Sequence, residues 1–518
     1  MVRAFWKESL TAWVFSALYG LYDRSLFRAV LARVGSAFKD SRIGSCFRGA
    51  LLAPQFTRTW YGALLGRFNA LLGRIGSLAG KGIIAAFLRM LGRFCARVTR
   101  GSFICAALAR FGVRRILLLI FALYLPLDVL LRTAGLPPVV SSLWDEALLG
   151  AMLLYALYDT AKTKSAPRIT PIDSPFMLCF AVGVFLMMVI SPAMFIAVDG
   201  FRAVFQYMLF YPALVRLVKN ERDLSLVTLT ILGTGVILAF HGIYQYIVAA
   251  PIPEHWVSMS EAGVRTRAFS IVGSPNILGD FMIMTAPIAV AMAYRVQSMK
   301  SKIFFWGCFA VIGLCCLFTF SRGAWIGLVA AAVIFSLMVD RRLFALIVIA
   351  GVAALLVPEV SNRLGYLFTP EFQEKNEAGG RNMWWQYGME LLNRKNPLLG
   401  VGLGGFGGAV AMHNQVMPGV TYFYLDNYYV KTLVEMGYVG LVSYISLLAS
   451  SLWMGLRSFL RCATDRSRVL TAGLFAAVCG VLIHCFFENI FEVPYMNAYF
   501  WGFVALLACR GFVIREKT

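Results

Sequence analysis

Residues 303–339 read IFFWGCFAVIGLCCLFTFSRGAWIGLVAAAVIFSLMV, two apolar runs that meet at Ser321-Arg322-Gly323. The apolar residues are continuous rather than alternating, so each run reads as a helix and not as a barrel strand. Each comes close to the ~20 residues that cross the apolar core of a bilayer. The second run is the shorter, so the pair reads as two crossings or as a tight hairpin that stops short of the far side. An arginine at the bend between such runs is costly unless it meets water, a carboxylate or a phosphate.

Runs of the same kind recur near 113–132, 139–158, 174–194, 201–218, 225–248, 273–294, 303–320, 323–339, 343–358, 427–456, 469–487 and 494–513. Hydrophobic residues make up 59% of the 518 positions and charged residues 14%, too little polar surface for a soluble protein of this size. The sequence therefore predicts an all-α polytopic membrane protein of about twelve spans. No cleavable signal peptide is expected, because the first apolar stretch is short and interrupted by charge. None of the eleven cysteines falls in the polar segment 359–426, and their spacing forms no metal or disulfide ladder.

The net charge of +22 is unevenly placed. Residues 1–112 hold seventeen Lys and Arg against Glu8, Asp23 and Asp40. Within them, GALLGRFNALLGRIGSLAGKGIIAAFLRMLGRF (62–94) interleaves basic and apolar residues, with Arg67 and Arg74 seven apart. This pattern predicts a basic amphipathic region on an anionic phospholipid surface rather than a nucleic-acid partner. Residues 113–513 form the membrane domain.

With residues 1–112 inside, the loops at 162–168, 219–223, 295–302, 341–342 and 457–468 and the tail at 515–517 also fall inside. They are short and basic or mixed, as the positive-inside rule requires. Both termini are then cytoplasmic. The large polar loop 359–426 lies outside, between spans 9 and 10.

The exterior arginines stand beside unusual sequence. Arg265 and Arg267 precede Ser274-Pro275-Asn276, where a helix should begin with Ser274 or Asn276 as its cap. Arg322 stands in FSRGAW, and Arg381 follows two glycines and precedes Trp384-Trp385. Forked guanidinium donors match phosphate oxygens and stay charged, so arginines on one side suit a diphosphate. NPLLGVGLGGFG (396–407) is too rich in glycine for a stable surface helix, and lacks the Lys-Ser/Thr of a phosphate-binding loop. Its Gly402 and Gly404 suit close backbone approach to a substrate or tight turning over the bundle mouth. Asp426 stands where a helix N-cap belongs. Glu435 lies nine residues on, on the opposite helix face, while His484, Glu488 and Glu492 end the next span on the same exterior side. No HxxxH, HExxH or carboxylate cluster has metal-site spacing, so no metal cofactor is expected.

Taken in order, RAFSIVGSPNILGDF (267–281), FTFSRGAWIGL (318–328), GRNMWWQYGMELLNRKNPLLGVGLGGFG (380–407) and LDNYYVKTLVEMGYVGL (425–441) resemble the O-antigen ligase and polymerase superfamily. The resemblance covers roughly 113–513. It implies a bacterial inner-membrane glycosyltransferase with about twelve spans. Such an enzyme joins a glycan from a polyprenyl diphosphate carrier to another glycan or a lipid-linked core, with neither nucleotide sugar nor metal. It places diphosphate binding on Arg267, Arg322 and Arg381, with Arg265 beside them. Asn276, Trp384, Gly402, Gly404 and Asn427 are the expected glycan and acceptor contacts. Many members carry His-Asn after the large loop, where this chain has Asp426-Asn427. Proton removal from the acceptor then falls to Asp426, His484 or Glu435. The implied reading is a polymerase, with ligase-type transfer as the alternative and a chain-length regulator or flippase as partner. A transporter of lipid-linked or anionic solutes would also use exterior arginines, but it should show inverted repeats.

Overall fold

The computed structural model describes residues 111–514 apart from 136, 164–167, 169, 191–192, 252–265, 366–368, 371–373, 375–380 and 418–423. The basic region 1–110 and Arg265 lie outside the described residues. Seventeen α-helices follow in order: α1 Val113–Ala122, α2 Tyr124–Thr133, α3 Pro138–Thr163, α4 Asp173–Val189, α5 Met194–Phe201, α6 Phe210–Leu217, α7 Glu221–Ile247, α8 Pro275–Arg295, α9 Met299–Phe318, α10 Arg322–Met338, α11 Arg342–Leu355, α12 Pro358–Gly365, α13 Arg381–Lys395, α14 Ala409–His413, α15 Tyr428–Arg461, α16 Asp465–His484 and α17 Pro494–Ala508. No strand occurs among the described residues.

Each of the twelve apolar runs is helical over most of its described length, but they do not form twelve uniform spans. Among the described residues six helices are long and apolar enough to cross a membrane: α7, α8, α9, α15, α16, and α17 with its extension to Val513. A seventh is obtained if α1 and α2, bent by 74° at their junction, count as one. The run at 201–218 is broken by a π-turn over Arg202–Gln206 and a 3-10 turn over Tyr207–Leu209. Helices α4, α10 and α11 are apolar but have only 17, 17 and 14 residues. Helix α3 is long, but it carries Asp145, Glu146, Asp159 and Lys162 along its length. Periodicity locates apolar helices; bends and buried charges decide how each meets the bilayer.

Helix α8 is the axis of the fold, almost wholly buried between α16, α9, α10 and α7. Helix α17 is the second buried element, packed on α6, α15 and α16. Without a hydrophobic drive between apolar helices in lipid, tight association depends on small residues that let backbones approach. Here Gly480 of α16 meets α8 and α10 together. A Cβ built on it would lie 2.6 Å from Ile283 Cγ2, 2.9 Å from Ala331 Cβ and 2.9 Å from the Gly327 carbonyl oxygen. Gly480→Val should therefore overpack this junction and cost about 1–3 kcal/mol. The check is a lowered thermal midpoint in detergent, with Gly307→Ala, which faces open space, as the control.

The polar segment between α11 and α15 is partly helical and docks on α15. Helix α15 is interrupted at Gly437, whose φ of 64° and ψ of −172° lie outside helical space. The break frees the carbonyls of Val434 and Glu435 and the amides of Tyr438 and Val439. The loop after α13 satisfies all four. Val401 and Gly402 donate to the Val434 and Glu435 oxygens (2.9 and 3.0 Å), and Tyr438 and Val439 donate to Pro397 and Leu398 (3.0 Å each). Buried backbone groups freed by a helix break need new hydrogen-bond partners, and this loop supplies them.

Candidate active site

Two arginine-bearing turns are joined by backbone. Ala268 donates to the Phe318 carbonyl (2.8 Å), which brings the segment before α8 against the α9–α10 turn. Arg267 is buried there and donates from Nε to the Thr319 carbonyl (2.9 Å) and from Nη2 to Asn276 Oδ1 (3.1 Å). Ser274 caps α8 and Pro275 takes its first turn. Asn276, one residue inside the helix, is thereby free to use its side chain elsewhere. Both turns pass through left-handed backbone at a non-glycine residue, Ser270 (φ 50°) and Phe320 (φ 50°). Such φ values are uncommon outside glycine, Asn and Asp. After Phe320, Ser321 caps α10, so Arg322 becomes its first residue, half-buried at the helix mouth.

The end of α16 closes this face. A Cβ on Gly323 would lie 2.7 Å from Phe487 Cβ and 3.1 Å from His484 Nε2, so the α10 turn rests on the α16 terminus. His484 is buried and hydrogen-bonds through Nδ1 to Asp280 Oδ1 of α8 (2.9 Å). Glu488, in the turn after α16, accepts a hydrogen bond from Asn276 Nδ2 and is only 6% exposed. Arg267, Asn276 and Glu488 therefore form one hydrogen-bonded line. Burial first, and then the nearby Asp426 carboxylate, push the Glu488 carboxyl up to about 7, against the opposing pull of His484, Arg381 and the Asn276 hydrogen bond.

Arg381 opens α13 and bonds through Nε to Asp426 Oδ2 (2.6 Å). This pair is partly open to solvent, with side-chain exposures of 42% and 24%. Asp426 does not cap α15, contrary to the position expected from the sequence. Asn427 does, accepting from the amides of Tyr429 (3.0 Å) and Val430 (3.1 Å). One residue's shift in the helix start releases Asp426 for Arg381 and occupies Asn427 in backbone work.

Glu435 sits apart from this group, in a buried ionic clasp. Lys431 Nζ lies 2.5 Å from Glu435 Oε2 and 3.0 Å from Glu492 Oε1, all three side chains being almost fully enclosed. The two carboxylates in turn accept the amides of Phe406 (3.3 Å) and Ala409 (2.9 Å). The clasp thus fastens the glycine-rich loop. Gly402 and Gly404 are buried in it: Gly402 donates to the Glu435 carbonyl, and Gly404 abuts Gly200 of α5. Trp384 packs near Tyr387 (6.2 Å between rings), on the small apolar core around Phe406, Leu425 and Val434.

Residues 307–445 match the family model described as O-antigen ligase. Over these residues the chain is similar to the O-antigen ligase family. The match is in line with the resemblance that the sequence motifs carry, to glycosyltransferases of the ligase and polymerase type. No curated protein matches the chain. The O-antigen ligase match contains Arg322, Trp384, Arg381, Gly402, Gly404, Asp426, Asn427 and Glu435, and leaves Arg267, Asn276, His484 and Glu488 outside. The fold brings the two sets together at one end of the bundle, with Glu435 and the two glycines in the adjoining clasp. Among the described residues no group of three or more His, Cys, Asp and Glu side chains converges as metal ligands do. Sequence reading placed Glu488 and Glu492 at the end of a span without giving either a role, and it did not single out Asp280 or Lys431. An acid four residues after a histidine at a helix end is a faint signal for Glu488, whereas the others required the packing.

Proposed function

We propose that this chain transfers a glycan from a polyprenyl-diphosphate carrier to a hydroxyl of a second lipid-linked glycan, on the extracytoplasmic face of the inner membrane. The observation that carries the reading is the Arg267–Asn276–Glu488 line set beside Arg322 and the Arg381–Asp426 pair. In this orientation the twelve apolar helical runs cross or enter the bilayer, both termini are cytoplasmic, and the loop 359–426 covers the outer mouth. Arg267 and Arg322, with Arg381 at the rim, hold the diphosphate.

The acceptor oxygen attacks the anomeric carbon, forming the new glycosidic bond as the carbon–oxygen bond to the phosphate breaks. The electron pair leaves on the diphosphate, where preorganised guanidinium groups stabilise the growing charge. The acceptor's proton passes to Glu488. A carboxylate with a pKa near neutrality is suited to accept a proton at working pH, whereas an ordinary exposed one is a weak base. Asn276 orients Glu488 and links it to Arg267, so base and diphosphate site are fixed relative to each other. Asp426 tempers Arg381 and raises Glu488 electrostatically. No step requires a nucleotide sugar or a metal.

Ligase-type transfer to a lipid core is the second reading, and the similarity to the O-antigen ligase family is compatible with it. One experiment tests both. Purified protein is given the host's polyprenyl-diphosphate-linked oligosaccharide, and products are resolved by gel and mass spectrometry. A ladder of longer lipid-linked glycans supports the polymerase; a single transfer that needs a different lipid acceptor supports the ligase. Arg322→Ala should lower either activity about 10²–10³-fold, the range found when a preorganised charge-stabilising donor is removed. Transport of the carrier across vesicles without any transfer would overturn the enzyme reading in favour of a transporter.

A further inference from the structure

At the opposite ends of α8 and α16 from Glu488 lies a second polar recess, which the transfer chemistry does not use. Two adjoining cavities, of about 310 and 340 Å³, share Arg295, Gln297 and Arg466, with Lys302 lining one and Ser298 and Ser301 the other. Helix α8 has 21 residues and α16 has 20. At about 1.5 Å per residue the recess therefore lies ~30 Å from the Arg267–Glu488 end. That is the thickness of a bilayer's hydrocarbon core, so the two sites stand at opposite headgroup levels.

The recess has more positive charge than its own acids neutralise. Arg295 reaches Glu221 at 3.5 Å, but Glu221 also serves Arg510. Asp465, which lines the recess as well, pairs with Arg468 (3.4 Å). Arg295 and Arg466 are close enough for their charges to repel. Helix α9 begins here at Met299, and the Ser298 side chain makes no capping hydrogen bond, so first-turn amides add to the positive field. On the same turns of α9, Met299, Ile303 and Phe304 are 69%, 65% and 63% exposed. A cationic recess at headgroup depth, with exposed apolar side chains on the same first turns of α9, matches a ligand with a phosphate and an acyl chain.

We infer that this recess binds the phosphate of an anionic phospholipid in the leaflet opposite the Glu488 site, with an acyl chain along Met299, Ile303 and Phe304. Basic pockets between transmembrane helices on the cytoplasmic side are suited to such headgroups. A free phosphate ion would satisfy the recess without using the strip, so the two sources can be separated.

The test uses the full chain, purified in detergent and titrated with phosphatidylglycerol, phosphatidylcholine or inorganic phosphate, and reads thermal midpoint and lipid retention by native mass spectrometry. Phosphatidylglycerol should raise the midpoint and remain bound, while the other two should not. Lys302→Gln with Arg466→Gln should weaken the phosphatidylglycerol response about tenfold or more, each basic residue near a headgroup being worth roughly 1 kcal/mol. The charge-matched control, Arg457→Gln with Arg461→Gln, should change it less than twofold, and Lys302→Arg with Arg466→Lys should retain it. Equal loss in the test and control pairs would overturn the site, since general charge would then explain binding. A full response to inorganic phosphate, with nothing added by the lipid, would overturn the lipid assignment. Lys302→Gln with Arg466→Gln should match the wild-type midpoint in phosphatidylcholine, which separates lost binding from lost folding.

Discussion

Glu488→Gln should lower the rate of glycosyl transfer about 10²–10⁴-fold, the span that a positioned general base contributes. The amide keeps the shape of the side chain and can still meet Asn276, so carrier binding should survive the change. In the unmodified protein, transfer should rise with pH through about 7, the value to which burial and the neighbouring Asp426 bring the carboxyl. The sign follows from the role: a base works ionised, and ionisation grows as pH rises. The Gln variant should have a low, flat profile across this interval. Asp426→Asn removes the charge that raises Glu488, so the inflection should move to lower pH. A profile whose inflection is unchanged in Glu488→Gln would assign the proton to another group. The same shift has a consequence for stability. The folded carboxyl is pushed up to about 7 from its ordinary value of 4.5, so the neutral form favours folding, fully below 4.5. That contribution is lost progressively as pH rises through about 7.

Gly437→Ala should be strongly destabilising and should unseat the loop that docks on α15. Its backbone lies at φ 64° and ψ −172°, a region that side-chain-bearing residues scarcely enter, at a cost of about 1–3 kcal/mol. A Cβ there would also stand 2.3 Å from the Leu398 carbonyl oxygen and 2.5 Å from the Gly400 amide nitrogen. Those atoms are backbone and cannot rotate away, so overpacking adds roughly another 1–3 kcal/mol. Relief requires the 397–402 segment to leave α15, which would unpair the Val434 and Glu435 carbonyls. The expected readouts are new proteolytic cleavage within 396–426 and a lowered thermal midpoint in detergent. Gly351→Ala, on a face with nothing within 4 Å, should change neither. Unchanged cleavage in Gly437→Ala would mean that the loop is held by the Lys431 clasp alone.

Particular residues show how far the sequence could be read. The Ser274-Pro275 start of α8 and the bend at Ser321-Arg322 were legible because capping and proline chemistry are local. The start of α15 was misplaced by one residue, since Asp and Asn are both good caps and only the tertiary pairing of Asp426 with Arg381 separates them. The glycines at 400–407 could be recognised as serving a close approach, but not as serving one to α15 and α5. Glu488 is held by a hydrogen bond from Asn276, 212 residues away, and no local pattern encodes that distance.

By itself the sequence determined that this is a helical membrane chain, where its apolar helices lie and which arginines stand at their ends. Those properties follow from composition, run length and the chemistry of neighbouring residues. Only the tertiary structure decided which helices are bent or broken, that Glu435 fastens a loop, and that Glu488 meets Asn276 beside Arg267. The reason is physical: a buried side chain's charge state and hydrogen bonds are set by groups that folding brings from distant parts of the chain.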